Sequence, residues 1–576
     1  MPDHFRESTL ISLTDTVTHD HDDDLQPPSP DSATVLSHDR VRRMTDPPTS
    51  LPTYGKPLPV RRKETLDPRI VPPIIPPEHS HRTLVLCFDG TGDQFDCDNS
   101  NIVQFVSLLK KDDCSKQMVY YQSGIGTYTS PTIATPLLST ITKTLDQAVA
   151  LNLDAHVMDG YEFLMQNYMD GDRISILGFS RGAYTARSLA GMIHKVGLLP
   201  AGNWQQVPFA YKMYTRTDQL GWEQSNAFKK AFSVNVTIDF VGVWDTVDSV
   251  GLIPKRLPFT VSNTIIRTFR HAVSLDERRA KFKANLWNQP NNKDKRMEAA
   301  SRCAVGDTPP EPTDSKKQET KRKSVGHVEQ PSFHWLDEEE EELADFEGQF
   351  SARIEDKPTD VEEVWFAGCH SDVGGGSVNN STRHSLARIS LRWMIRECFK
   401  ANTGIMFDSR QLRKVGLDPT TLYPFVTPRP SPLPSTTLRV LSASGGEKKH
   451  WLKRLFSKRP VATTEEDQDY PVEKPGPLTE EEEDLWDAMA PIYDQLKWNP
   501  IWWILELIPM TFCYQRDDDK WGTWFGMNLA HPRAIPKHKT NGIKVHRSVQ
   551  LRMKASEGKK YVPKARFSHE HATWID

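Results

Sequence analysis

The sequence predicts an α/β fold, a mostly parallel sheet covered on both faces by helices. Three observations lead there. Short apolar runs such as "RTLVLCFDG" and "DRISILGFS" stop abruptly in small or polar residues. Stretches with apolar residues about four apart lie between them, as in "TLDQAVALNLDAHVMDGYEFLMQNY" at 144–168. Long polar segments rich in proline and charge fall outside the alternation and mark its limits. Strands that alternate with helices, each strand ending in a loop, are the pattern of parallel strands joined by crossovers.

The elements follow in order. Residues 1–80 ("PPSPDS", "VPPIIPPEHS") hold too little apolar surface for a core and read as a disordered arm ending in an extended proline stretch. The first part of the folded domain is 81–287. It opens with the strand in "RTLVLCFDGTGDQFD", and "QMVYYQSGIGT" (117–127) repeats strand then glycine-bearing loop. The helical stretch at 144–168 carries Leu145, Val149, Leu153, Val157 and Tyr161 on one stripe. Then come the strand "DRISILGFS", the helix "RGAYTARSLAGMIHKVGLL" and a strand in "VNVTIDFVGVWDTVDSVG" (234–251). Residues 288–360 read as a disordered insertion, with the acidic "DEEEEELADFEG" a solvated run. The second part, 361–427, holds the strand in "VEEVWFAGCHSDVGGG" and the helix in "SLARISLRWMIRECFK". A polar linker (428–480) leads to a tryptophan-rich segment (481–576). Its "WNPIWWILELIPMTFCYQ" reads as a core helix packed on the domain, with Trp498, Trp502 and Trp503 at a membrane interface as the second reading.

Composition narrows the function. The net charge is −4 and the basic residues are dispersed, so no footprint for nucleic acid is present. Seven cysteines, an odd number without CxxC pairing, point to reduced thiols in a cytoplasmic protein, and the N-terminus lacks signal-peptide character. No apolar run approaches the ~20 residues of a membrane span. Histidines and cysteines lack ligand spacing, and "GGG" after His370 is not followed by a dinucleotide pattern, so neither metal nor cofactor is expected.

The chemistry centres on Gly178-Phe179-Ser180-Arg181-Gly182. Gly-x-Ser-x-Gly between a strand and a helix places a serine on a tight turn, where flanking glycines relieve crowding and Oγ projects above the sheet. Alone the pattern is weak, but here a strand-like run precedes it and a helical run follows. A serine hydroxyl needs a base, and the base an orienting acid. Asp245 ends the next strand, with Asp248 as rival; His370 follows the strand after that, on a glycine-rich loop. His271, in "HAVSLDERRAKF", is the competing base, but its helical, charge-rich setting favours a salt-bridged structural role. An oxyanion would take one donor from the backbone of Arg181 and another from Gly90 or Thr91 in "FDGTG", a loop that Asp89 would brace.

The order Ser180, Asp245, His370 is that of the α/β-hydrolases. The motifs "LVLCFDGTGDQFD", "YYQSGIGT", "GFSRGAYTAR", "FVGVWDTVDSVG", "HAVSLDERRAKF" and "VWFAGCHSDVGGG" together resemble one family of that fold. It contains the catalytic domain of type VI secretion phospholipase effectors and many uncharacterised fungal proteins. The likeness covers about 82–287 and 361–400, with a weaker trace in "GIKVHRSVQLRM" (542–553). It implies a serine hydrolase with Ser180, Asp245 and His370 as the triad and suggests lipid esters, or else small-molecule esters, as substrate; the expectation of peripheral membrane contact comes instead from the C-terminal tryptophans. The insertion, and an acid that directly follows the strand after the nucleophile helix, are departures from that pattern. The alternative expectation is a catalytically silent scaffold working through its polar segments.

Overall fold

The computed structural model describes residues 71–124, 138–247, 256–287, 343, 346–348, 358–434, 437, 478–515, 521–536, 538 and 542–576, save 79, 92 and 556–559. Eight strands form the main sheet: β1 (Thr83–Phe88), β2 (Gln117–Gln122), β3 (Arg173–Phe179), β4 (Ile238–Trp244), β5 (Ile266–Ser274), β6 (Asp360–Phe366), β7 (Ile543–His546) and β8 (Ala572–Ile575). Their order is β8-β7-β6-β5-β4-β3-β1-β2, and every neighbouring pair is parallel. All six residues of β1 are buried, and in β3 and β4 only Arg173 and Asp239 are not. Burial on both faces explains why these strands read as continuous apolar runs rather than alternations.

The helices around the sheet include α1 (Asn101–Leu108), α2 (Leu138–Asn167), α3 (Ser180–Val196), α4 (Val207–Thr215), α5 (Gln219–Phe232), α6 (His370–Gly374) and α7 (Ala387–Lys400). Phe105 of α1 and Trp393 of α7 belong to the core on one face. Leu153 and Tyr161 of α2, Leu189 of α3, Tyr214 of α4 and Phe228 of α5 fill the other. The chain runs from β1 outward to the edge strand β2, then back past β1 to β3. The carboxyl ends of β1 and β3 therefore flank a point where strand order reverses, where ligands of open α/β sheets bind.

Several expectations change in detail. The stretch around His271, read as helical, is the interior of β5, because it lies buried between β4 and β6. The C-terminal segment is no simple appendage. It contributes β7 and β8, strands of four residues each, too short to announce themselves as strands. The end of the proline arm also joins the fold: Ile74–Ile75 pairs with Phe407–Asp408, and Ile75 is buried. Residues 1–70 lie outside the described residues.

The acidic run is not solvated at its end. Phe346 stacks on Trp222 with ring centroids 5.9 Å apart, and Leu343 and Glu347 are buried. Glu347 accepts hydrogen bonds from Arg256 (3.0 Å) and from the Phe259 amide (2.6 Å). Losing one member of a buried ion pair typically costs about 3–5 kcal/mol, because the other charge is left without a partner. Glu347→Ala should lower unfolding free energy by about 3 kcal/mol, read from urea denaturation. An unchanged midpoint would mean that this anchor does not hold the segment.

Candidate active site

The nucleophile candidate sits where the sequence puts it, at the junction of β3 and α3. Ser180 has φ 58°, a left-handed conformation that costs a non-glycine residue about 1–3 kcal/mol. The two glycines of the motif are both set by close approach. A Cβ on Gly182 would lie 2.3 Å from the Asp89 carbonyl oxygen, and one on Gly178 would lie 2.6 Å from the Ala183 Cα. The elbow can form only if neither carries a side chain. Behind Ser180 the seventeen residues of α3 present their positive end.

The three sequence candidates meet. Ser180 Oγ lies 2.8 Å from His370 Nε2, and His370 Nδ1 lies 2.6 Å from Asp245 Oδ2. The geometry fits one tautomer, with Nδ1–H donated to the carboxylate and Nε2 accepting from the serine hydroxyl. All three side chains are buried. His370 opens α6, and its ring is stacked on Phe179 (4.7 Å between centroids) and met edge-on by Phe282 (4.8 Å). Burial, aided by the nearby Arg279 charge, lowers the His370 pKa below its ordinary value, against the opposing pull of Asp245 and Glu277. Asp245 shows the opposite balance. Burial would raise its pKa, but Arg533 and His370 outweigh it and hold the carboxylate ionised.

His271 is elsewhere employed. Its Nε2 accepts from the Thr246 amide (3.1 Å), and its Nδ1 faces Glu363 Oε1 at 2.8 Å. Asp248 lies outside the described residues. In the loop after β1, Asp89 is the brace expected of it, accepting from Ser100 Oγ (2.6 Å), Tyr121 Oη (2.9 Å) and the Gly90 amide (2.9 Å). The Gly90 N–H is thus engaged by Asp89. Its lack of a side chain matters instead, since a Cβ there would lie 2.9 Å from the Phe179 ring, next to Ser180. Thr91 follows it, and Arg181 is the second residue of α3.

Sequence reasoning missed three participants. Arg533 reaches Asp245 with both terminal nitrogens, Nη1 to Oδ1 at 2.5 Å and Nη2 to Oδ2 at 3.0 Å. Ser274, at the end of β5, donates its amide to Asp245 Oδ1 (2.7 Å). Glu277 accepts from the His370 amide (3.2 Å) and pairs with Arg279 (2.9 Å). Burial works to raise the Glu277 pKa, yet the Arg279 charge brings it down to about 2. "LDERR" offered a cue for Glu277 as a charge cluster, whereas Arg533 carried no local signal.

Of the two groups of metal-ligand type among the described residues, Asp96–Cys97–Asp98 is exposed, while His384 lies half-buried beside the buried Glu483 and Asp487. Arg383 donates to Glu483 (2.7 Å) and Arg392 to Asp487 (2.6 Å), so the carboxylates are already neutralised by arginines. This reads as an ion-pair network joining α7 to the helix Glu480–Ala488.

An eight-stranded parallel sheet with helices packed on both faces defines an α/β fold. Residues 82–397, more than half of the chain, match the catalytic domain of the Tle1-like phospholipase effectors of the type VI secretion system, and the chain belongs to that family. It is similar to the uncharacterised protein YEL023C of Saccharomyces cerevisiae, with 29% identity across 84% of this chain and 80% of that protein. Among solved structures it matches an uncharacterised protein from Pseudomonas aeruginosa at 15% identity and a TM-score of 0.29, over 64% of this chain and 55% of that one. It also matches the Tle1 effector bound to the VgrG spike at 15% identity and a TM-score of 0.24, over 52% of each chain. The chain thus spans about half the length of these solved proteins.

Proposed function

We propose that the chain is a serine hydrolase of carboxylic esters, acting on lipid or phospholipid acyl esters through an acyl-enzyme. The observation that carries this reading is the continuous relay Ser180 Oγ, His370, Asp245, with contacts of 2.8 and 2.6 Å on a left-handed serine. In the first half-reaction, His370 Nε2 takes the hydroxyl proton as Ser180 Oγ attacks the ester carbonyl. The resulting imidazolium, paired with Asp245, returns that proton to the leaving alcohol. Water then repeats the sequence to release the acid and restore the serine. The amides of Arg181 and Thr91 are the proposed donors to the oxyanion, with Gly90 allowing the loop to approach closely.

Two features favour a lipid over a small polar ester. The family is one of phospholipase effectors. The surface beside the site is also inverted in character: Trp498, Ile501 and Leu507 are more than half exposed, while Glu506 among them is fully buried. Trp502 meets Phe282 edge-on at 5.5 Å, so this apolar surface adjoins the ring that covers His370. Exposed tryptophans and aliphatics of this kind suit peripheral contact with a membrane interface. No helix among the described residues is long and apolar enough to cross a membrane.

A fluorophosphonate probe should label Ser180, and the protein should release fatty acid from phosphatidylcholine vesicles. A folded protein that takes up no probe would favour the silent scaffold instead. Labelling with turnover only of soluble short-chain esters would keep the hydrolase and discard the lipid substrate.

A further inference from the structure

We infer that Arg533, carried by the C-terminal segment beyond the family match at 82–397, is a positioning residue for the catalytic relay, a role that rests on the triad reading above. The Arg533 side chain is 1% exposed, and every guanidinium nitrogen is used. Besides its two bonds to Asp245, Nη1 donates to Ser274 Oγ (2.7 Å), while Nε (3.0 Å) and Nη2 (2.6 Å) donate to the Phe282 carbonyl. One planar group thus holds the acid that orients His370 and the backbone of the residue whose ring lies against His370. Arginine suits the task because its fork meets both carboxylate oxygens at once.

The segment bearing Arg533 is itself tied to the same loop. Glu506 accepts from the Ala280 amide (2.7 Å) and from Asn528 Nδ2 (2.5 Å), and Asp494 pairs with Arg278 at 2.6 Å. The stretch that brings Glu277 and Phe282 against His370 is therefore clamped by the C-terminal segment at several points. The acid of the relay is complete only when that segment is docked.

The arrangement has an electrostatic consequence. Without Arg533, the cation left in contact with Asp245 among the described residues would be the imidazolium of His370, so that imidazolium would be held more tightly. The other charged groups near the pair, Glu277, Arg279, Lys283 and the Glu363-bound His271, stay in place in either case. Removing Arg533 should therefore raise the His370 pKa and move the acid limb of the rate profile to higher pH.

The test compares wild type, Arg533→Met and Arg533→Lys, each checked for folding by circular dichroism. The readouts are kcat and KM on p-nitrophenyl acetate against pH, with a parallel NMR titration of His370. Arg533→Met should lose about 100-fold in kcat with little change in KM, the effect of a relay held slightly out of line. Its acid limb and its His370 titration should both rise by about one pH unit. Arg533→Lys keeps the charge without the fork, so its limb should stay near wild type while kcat is only partly recovered. A folded Met variant with wild-type kcat and an unmoved His370 titration overturns the inference, even if it melts earlier. If Arg533→Met does not fold, a Lys variant equal to wild type in kcat overturns it as well. If wild type hydrolyses no ester, the hydrolase reading fails, and the His370 titration still decides whether Arg533 sets the state of the pair.

Discussion

Ser180→Ala should abolish ester hydrolysis while leaving the fold unchanged. Removing a serine nucleophile costs on the order of 10⁶ in kcat where the relay acts as a unit, with residual turnover from binding and the oxyanion donors. The substitution deletes one hydroxyl from a buried site and keeps the left-handed backbone, so circular dichroism and melting should stay near wild type. A companion variant separates strain from chemistry. Ser180→Gly is equally inactive, but glycine adopts φ 58° without penalty and should be about 1 kcal/mol more stable than Ser180→Ala. Steady-state assays and urea denaturation on the two proteins read both effects. A tenth of wild-type turnover in either variant would remove Ser180 from the reaction.

The three candidates were legible in the sequence because each ends or follows a strand with a strong local signature. Ser180 stands between two glycines that the elbow requires, Asp245 caps a continuous apolar run, and His370 precedes three glycines. Parallel strands buried on both faces, β1, β3 and β4, declare themselves by composition alone. Elements set by tertiary context did not. His271 sits among charged residues that mimic a helix surface, yet β5 is held by its neighbours on either side. Arg533 lies 288 residues from Asp245, in a stretch with no periodicity or motif, and only the folded chain brings the two together. Glu347 was masked by the acidic run that precedes it; nothing in "DEEEEELADFEG" shows that one glutamate of many meets a buried arginine.

The sharpest comparison is between the two histidines. His370→Ala should nearly abolish turnover, as Ser180→Ala does, and the double variant should be little worse, since members of one relay do not contribute additively. His271→Ala should act on stability instead. It leaves the Thr246 amide and the Glu363 carboxylate without their buried partner, a loss of about 1–3 kcal/mol, while the relay itself stays intact. The pH profile adds an independent sign. Neutral imidazole is the form that can accept a serine proton, so, if His370 is the base, kcat/KM should rise with pH as it loses its proton. Sequence alone would put that ionisation at the ordinary histidine value of ~6.5 or above it, through the pull of Asp245. Burial and the Arg279 charge instead move it lower, so the acid limb should lie below the ordinary histidine value, and activity should fall only on the acid side of it. The midpoint of that limb, measured on wild type and on His271→Ala, should be the same in both. A folded His271→Ala that is inactive, beside a His370→Ala that turns over normally, would transfer the role of base to His271.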